Sequence, residues 1–362
     1  MDKKWILVGL HESDGIGWRT ISNIVSRDRD WEHAFHFSSA DWMERGLSPE
    51  KALQMSRHFT SDWLEEKVQA LHDRSIQAVT HYDQSYPILM KETERAPWVI
   101  YAKGDTRLLS ALSIAMVGTR VPTAYGRKTG AWLAEELCSR GIAIVSGLAR
   151  GIDGVCHKAA LNCGGSTIAV LGTAIDVPYP PEHTSLYYDI CEKGLIISEY
   201  PIGMKGHPGL FPQRNRIIAG ISRGTVVVEA DSRSGSLITA DLALEGGRDV
   251  FAVPGPITSP KSRGTLDLLK QGAKMVTNPH DILEEYEAYL PKIKESPVPQ
   301  TQDNLLTDEE QRIYHMLEQG NCNFDELQIQ TGWDFGLLHS VLLSLIMKKT
   351  VVQLPGSVFK II

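Results

Sequence analysis

Ala143-Ile144-Val145-Ser146-Gly147-Leu148-Ala149-Arg150-Gly151-Ile152-Asp153-Gly154 opens as a short apolar run and breaks at Gly147. It leads into Val155-Cys156-His157-Lys158-Ala159-Ala160-Leu161, where apolar residues recur at helical spacing. The stretch reads as strand, glycine loop, helix. Glycines at 147, 151 and 154 let the chain turn tightly and let a ligand approach the backbone. The helix start behind them offers unpaired N–H groups and a positive dipole end. An anion suits that position, although any α/β protein changes direction with a similar turn. The phosphate-loop pattern G-x-x-x-x-G-K-[ST] is absent. The spacing G-x-x-x-G-x-x-G is not the dinucleotide fingerprint, and the next strand, Ile168-Ala169-Val170-Leu171, ends in Gly172-Thr173 without an acidic residue to hold a ribose. ATP and NAD chemistry therefore lose support.

Outward from this unit the strand–helix alternation continues. Strands are expected at 114–117, 142–145, 167–171, 195–198, 225–229, 250–253 and 273–276. Helices are expected at 124–140, 152–162, 184–193, 213–221, 237–245 and 265–271. Continuous apolar strands between helices imply a mostly parallel sheet covered on both faces, with ligands bound outside the carboxyl ends of the strands. Those ends bring together Gly118, Thr119 and Arg120; Ser146, Gly147, Arg150 and Gly151; Glu199-Tyr200, leading toward Arg214 and Arg216; and Glu229-Ala230 with Ser234-Gly235-Ser236. Arginine forks onto phosphate oxygens, and serine hydroxyls and loop amides complete such a shell.

The 362 residues, 42% hydrophobic and 22% charged, describe an ordinary globular protein with room for more than one domain. Five scattered cysteines, without a C-x-x-C pair, read as reduced thiols in a cytoplasmic protein. The apolar run after Met1 is too short for a signal peptide, and none later reaches membrane-spanning length. The net charge of −7 is unevenly spread. Residues 113–277 hold 17 Lys and Arg against 14 Asp and Glu, and the flanks hold 20 against 30. A local cationic groove is compatible with that middle.

Residues 1–80 read as small helices at 18–25, 30–37, 48–59 and 60–73. Gly15-Ile16-Gly17 stands as the kind of turn that helix-hairpin-helix modules present to a phosphate, or as a tight turn in a helical bundle, which the acidic balance of the region favours. Residues 81–112 read as an extended connector ending in a short strand. Beyond residue 286, a polar, proline-bearing linker (287–305) leads to three amphipathic helices, the first opened by a Thr307-x-x-Glu310 capping box, and to a terminal hairpin. That pattern is a winged helix over 306–362. Its third helix carries only His339 and Ser340 before Lys348-Lys349, which favours protein contact over duplex reading.

Val117-Gly118-Thr119-Arg120, Ser146 through Asp153, Phe211-Pro212-Gln213-Arg214-Asn215-Arg216, Val226-Val227-Val228-Glu229-Ala230, Ser234-Gly235-Ser236-Leu237-Ile238-Thr239-Ala240 and Ala252-Val253-Pro254-Gly255 follow one another in the chain. Together they resemble the DprA (Smf) family, the DNA-processing proteins of natural transformation. The resemblance implies an extended Rossmann-like core (113–286), preceded by a small helical domain of SAM or helix-hairpin-helix type and followed by a winged-helix-like domain. It also implies cooperative binding and protection of incoming single-stranded DNA, loading of the RecA recombinase, and homodimerisation through the core. The residues themselves show no Ser/His/Asp order, metal-ligand cluster or paired-carboxylate spacing, so no catalytic residue, cofactor or metal is expected. Carried over position by position, Arg120 and Arg150 contact phosphate, with Gly118, Thr119, Ser146, Gly147, Gly151 and Ser236 around them. Arg214 and Arg216 either contact phosphate too or anchor the loop. Asp153 caps its helix or orients an arginine, and Asn215 bonds loop backbone. Tyr125, Tyr179 and Phe211 are candidates for base stacking, with core packing the default for Phe211. The rival reading is a hydrolase acting on nucleoside monophosphates, because related Rossmann-like proteins use a P-G-G-x-G-T-x-x-E loop. Ser234 through Thr239 lacks that pattern, and Glu229 and Glu245 are the carboxylates available to it.

Overall fold

The computed structural model describes residues 2–27, 31–290, 306–348, 350–354 and 357–361. The chain divides into two compact units, Met1–Pro291 and Lys292–Ile362. Asp30, where one expected helix begins, and most of the expected linker, 291–305, lie outside the described residues.

The first unit opens with helices α1 (Lys3–Glu12), α2 (Trp18–Arg27), α3 (Ser39–Glu44), α4 (Pro49–His58) and α5 (Ser61–Asp73). Ser38, Ser48 and Thr60 accept hydrogen bonds from the first turns of α3, α4 and α5, satisfying N–H groups that a helix start leaves unpaired. The sequence reading missed α1, whose apolar stretch turns inward and buries Ile6, Leu7, Val8 and Leu10. The helix expected at 30–37 is a short 3₁₀ segment, Trp31–His36.

A nine-stranded sheet follows, built from β1 (Gln77–Thr80), β2 (Val99–Gly104), β3 (Ser113–Val117), β4 (Ala143–Ser146), β5 (Thr167–Val170), β6 (Leu195–Ser198), β7 (Gly224–Val227), β8 (Asp249–Ala252) and β9 (Lys274–Met275). The spatial order is β1-β2-β6-β5-β4-β3-β7-β8-β9. Six neighbouring pairs run parallel, and β1 and β2 join antiparallel beyond β6. The short strand expected at the end of the connector is thus β2, built into the sheet between β6 and the edge strand β1, which lies in the stretch read as helical. The place of β2 in the sheet was not legible, because its pairing with β6 spans some ninety residues of chain. Helices α6 (Ile88–Lys91), α7 (Ala124–Ser139), α8 (Ile152–Asn162), α9 (Thr184–Lys193), α10 (Leu210–Ile221), α11 (Gly235–Glu245), α12 (Arg263–Lys270) and α13 (His280–Leu283) cover it.

The two-residue period of the strands sorts the core into two faces. Ile114, Met116, Ile144, Val226, Val228 and Phe251 point toward a cluster with Leu133 and Leu137 of α7 and Ile152 and Cys156 of α8. Ala115, Val117, Val145, Ile168, Val170 and Val227 point the other way, toward Ile217 and Ile218 of α10 and Ala240 and Ala243 of α11. The N-terminal helices share a core with Tyr101, Ala169 and Ile196 on the sheet, which is why they pack as part of the first unit.

The second unit holds α14 (Asp308–Glu318), β10 (Cys322–Asn323), α15 (Phe324–Thr331), α16 (Phe335–Met347), β11 (Val351–Leu354) and β12 (Val358–Ile361). Its three strands pair antiparallel in the order β10-β12-β11, a winged helix. The Thr307–Glu310 capping box forms, and Glu310 also takes Lys348 Nζ at 2.5 Å and Ser344 Oγ at 2.6 Å. Lys348, at the end of α16, is therefore spent inside the domain.

Candidate functional site

Strands β4, β5 and β6 lie to one side of β3 and β7 lies to the other, so the connections after β3 and β7 diverge. In an open parallel sheet that divergence leaves a crevice at the carboxyl edge. Beside it two loops meet, those after the neighbouring strands β3 and β4. The loop after β3 runs from Gly118 to Thr123, where Thr123 caps α7 by accepting from Gly126 N at 3.1 Å. Thr119 donates its N–H to the Glu229 carbonyl at 2.7 Å. The Glu229 carboxylate receives Thr123 N at 2.8 Å and Thr123 Oγ1 at 2.5 Å. A side chain at Gly126 would place its Cβ 2.2 Å from that carboxylate, so only glycine admits it. Both oxygens of Glu229, a carboxylate available to a hydrolase reading, are engaged in holding this loop.

The loop after β4 wraps Asp153. Its carboxylate, buried at the head of α8, accepts from Gly147 N at 3.1 Å and Ala149 N at 3.3 Å. Burial raises the Asp153 carboxyl, while the Arg214 guanidinium and those two N–H groups oppose the rise. Arg214 comes from α10, with 5% of its surface exposed, and donates Nη1 to the carbonyls of Gly147, at 2.7 Å, and Val170. Burial pushes its guanidinium down to about 10, against the attraction of Asp153. Gly151 has φ +80° and ψ −128°, and a Cβ there would sit 2.2 Å from the Thr119 carbonyl. That carbonyl accepts from Ile152 N at 3.2 Å, clamping the two loops together.

The expected site residues divide into three groups. Arg120 and Arg150 are exposed at the rim. Arg150 pairs with Glu182, and among the described residues no carboxylate pairs with Arg120. The N–H groups of Arg120, Arg150 and Gly151 receive no acceptor from the described residues. A second group supports the loops from within. Ser146 and Gly147 were expected to offer donors outward, and the structure corrects this. Ser146 Oγ, fully buried, donates to the Met116 carbonyl at 2.6 Å, and the Gly147 N–H belongs to Asp153. Arg214 takes the anchoring role of the two anticipated for it. Asn215 Nδ2 reaches the Gly235 carbonyl at 3.3 Å, tying α10 to the start of α11, and Ser236 Oγ is 2.7 Å from Ser234 Oγ. Gly118 is held by space, since a Cβ there would meet Ile152 at 2.7 Å.

Arg216 stands apart. Two residues beyond Arg214, it projects from the opposite side of α10 and grips Glu199 with one nitrogen 2.6 Å from each carboxylate oxygen. There it lines a cleft of about 1280 Å³ shared with Trp98, Lys205 and the Gly15–Gly17 turn. Neither Arg120 nor Arg150 borders that cleft. In the turn itself Ile16 N donates to Ser13 O at 3.1 Å and Gly15 O accepts from Lys51 Nζ at 2.8 Å.

Sequence reasoning overlooked two residues that hold the loops, Lys261 and His183, and one further strand-end arginine. Arg233, exposed in the loop after β7, meets the same strand-end criterion that selected its neighbours. Lys261 donates Nζ to the Val121 carbonyl, and His183 Nδ1 donates to the Leu148 carbonyl at 2.9 Å. Neither adjoins a strand end in sequence, so no local signal marked them. Of the aromatic candidates, exposed Tyr179 lies 5.1 Å from the half-buried Phe211 ring, and Tyr125 donates to the Pro254 carbonyl at 2.8 Å. Phe211 packs on Gly172, where a Cβ would come within 2.6 Å of its ring.

Residues 77–287 match the family model for DNA recombination-mediator protein A, and residues 295–357 match the DprA winged helix domain. The chain belongs to the DprA family. Among DprA relatives, protein Smf of Escherichia coli is 45% identical over 213 residues, which cover 59% of this chain and 57% of that protein. The match therefore spans little more than half the length of that relative. DprA of Streptococcus pneumoniae, solved by X-ray, superposes with a TM-score of 0.70 at 35% identity, covering 79% of this chain and 99% of that one. DprA of Helicobacter pylori, a structure that describes the single-stranded DNA binding mode of that protein, gives a TM-score of 0.54 at 32% identity, covering 59% and 98%.

Proposed function

We propose that this chain binds single-stranded DNA along the rim formed by the loops after β3 and β4, beside the crevice at the carboxyl edge of the sheet. The observation that carries the reading is a rim of exposed Arg120 and Arg150 over N–H groups left without internal acceptors, on loops locked from beneath by Arg214, Asp153 and Glu229. A rigid cradle with outward cations suits a phosphodiester chain, because the loops need no reordering to receive it and the guanidinium groups fork onto its oxygens. Membership of the DprA family and the single-stranded DNA binding mode of the Helicobacter pylori protein support DNA as the ligand class. The same reading extends to protection of incoming DNA in natural transformation, loading of the RecA recombinase, homodimerisation through the core, and a cytoplasmic setting. Among the described residues no helix is long and apolar enough to cross a membrane. The engaged Glu229 favours binding over hydrolysis of nucleoside monophosphates.

Fluorescence anisotropy on a labelled single strand and on its duplex, at two salt concentrations, tests the reading. The single strand binds more tightly, and Arg120→Ala weakens it while lowering the slope of log K against log salt by about 0.7, the share of one phosphate contact. A variant that binds as the parent does moves the site elsewhere. Release of free base from a nucleoside monophosphate overturns the binding role.

A further inference from the structure

Cys138 lies in the last turn of α7, and Cys163 caps the end of α8. These two helices start at the loops that carry Arg120 and Arg150, so the thiols occupy the ends remote from the crevice. Cys163 is exposed, and its Sγ lies 4.0 Å from the carbonyl oxygen of Glu135, three residues before Cys138 in α7. Cys138 is 7% exposed, with its Sγ 3.6 Å from the Ser166 carbonyl. A Cβ built on Gly165 would meet that sulfur at 2.7 Å. Each cysteine thus rests against residues flanking the other, and Cys163 Sγ also lies 3.2 Å from the Ala160 carbonyl of its own helix. Cys163 is followed by Gly164, at φ +71°, and Gly165, a pair that lets the backbone re-aim the thiol. The remaining cysteines differ: Cys156 is wholly buried, with its Sγ 3.6 Å from the Gly130 carbonyl, Cys191 sits at α9, and Cys322 belongs to the second unit.

We propose that Cys138 and Cys163 are a redox-modification site, forming a reversible disulfide that staples the far ends of the two helices bearing the candidate binding loops. The oxidant is a hydroperoxide. The exposed Cys163 thiolate attacks its terminal oxygen, the O–O bond breaks, and an alcohol or water leaves as Cys163 becomes a sulfenic acid. The Cys138 sulfur then attacks that sulfur, the S–O bond breaks, and the departing hydroxide takes the Cys138 proton as water. Two thiols and one hydroperoxide become one disulfide, one alcohol and one water. Burial pushes the Cys138 thiol up to about 12, which assigns the first step to the accessible partner and the resolving step to Cys138.

The test uses the full chain, reduced, then exposed to hydrogen peroxide, alkylated and digested without reductant. The expected product is a peptide pair joining Cys138 to Cys163, lighter by two hydrogens than its reduced parts and released by dithiothreitol. Denatured thiol titration falls from five per chain to three. Cys163→Ser, an exposed change that leaves the reduced fold in place by circular dichroism, abolishes the link. Cys163 found only as sulfinic acid, Cys138 joined to Cys156 instead, or five thiols surviving oxidation each overturns the proposal. The readout is the covalent link itself, so its outcome is independent of nucleic-acid binding.

Discussion

His157 shows how far a residue's setting can depart from its place in the sequence. It faces the interior from α8, fully buried, with Nδ1 2.7 Å from Thr167 Oγ1. The Thr167 hydroxyl donates onward to the Ile144 carbonyl at 2.7 Å, so the imidazole is the donor in the first bond. Burial, aided by His183 and Arg214, depresses its pKa to about 3 from the ordinary 6.5. The folded state therefore rejects a proton that the unfolded chain accepts. Its stability contribution is whole above pH 6.5 and is lost progressively as pH falls toward 3. At pH 5 the loss is about 2 kcal/mol relative to pH 7. Urea denaturation of the parent and of His157→Gln at both pH values checks this. The variant shows a shallower decline, and equal declines refute the assignment.

At the scale of elements, the start of α7 is where capping and site architecture coincide. Thr123 supplies the cap of the helix and two of the hydrogen bonds that hold the buried Glu229 carboxylate. Replacing its hydroxyl removes the cap and leaves one carboxylate oxygen without that donor. Thr123→Ala is expected to cost about 2 kcal/mol, and Thr123→Ser less than half of that. Chemical denaturation measures both. The alanine variant also binds the labelled single strand more weakly, because the loop bearing Arg120 loses one of its three ties to Glu229. An alanine variant as stable as the parent shows that Glu229 finds its partners elsewhere. The winged helix follows a different logic. Its α16 exposes Phe335, stacked on His339 with ring centres 5.7 Å apart, and presents no cationic row.

For the molecule as a whole, the division into Met1–Pro291 and Lys292–Ile362 separates the candidate cradle from the winged helix. A chain ending at residue 291 is expected to keep the affinity of the parent for a short single strand to within about threefold, a difference of roughly 0.7 kcal/mol. Anisotropy at matched salt measures it. A loss of a hundredfold or more makes the second unit part of the binding surface.

The parallel core, the winged helix and the places of Arg120 and Arg150 just past β3 and β4 were legible in the sequence. Strand periodicity, glycine breaks and capping boxes are local signals, and each acts within a few residues of where it is written. The edge strand β1, the pairing of β2 into the sheet, the inward helix α1 and the support beneath the loops were not. Arg214 looks like any helix arginine until Gly147 and Val170, dozens of residues earlier in the chain, bring their carbonyls to it. Arg216, two residues on, faces Glu199 instead, because a helix turns about 100° per residue and places the pair on different sides. Sequence alone determined which residue types gather at the carboxyl edge of the sheet. Only the tertiary structure decided which of them are spent holding the loops and which face outward, because burial and hydrogen-bond partners are supplied by segments distant in the chain.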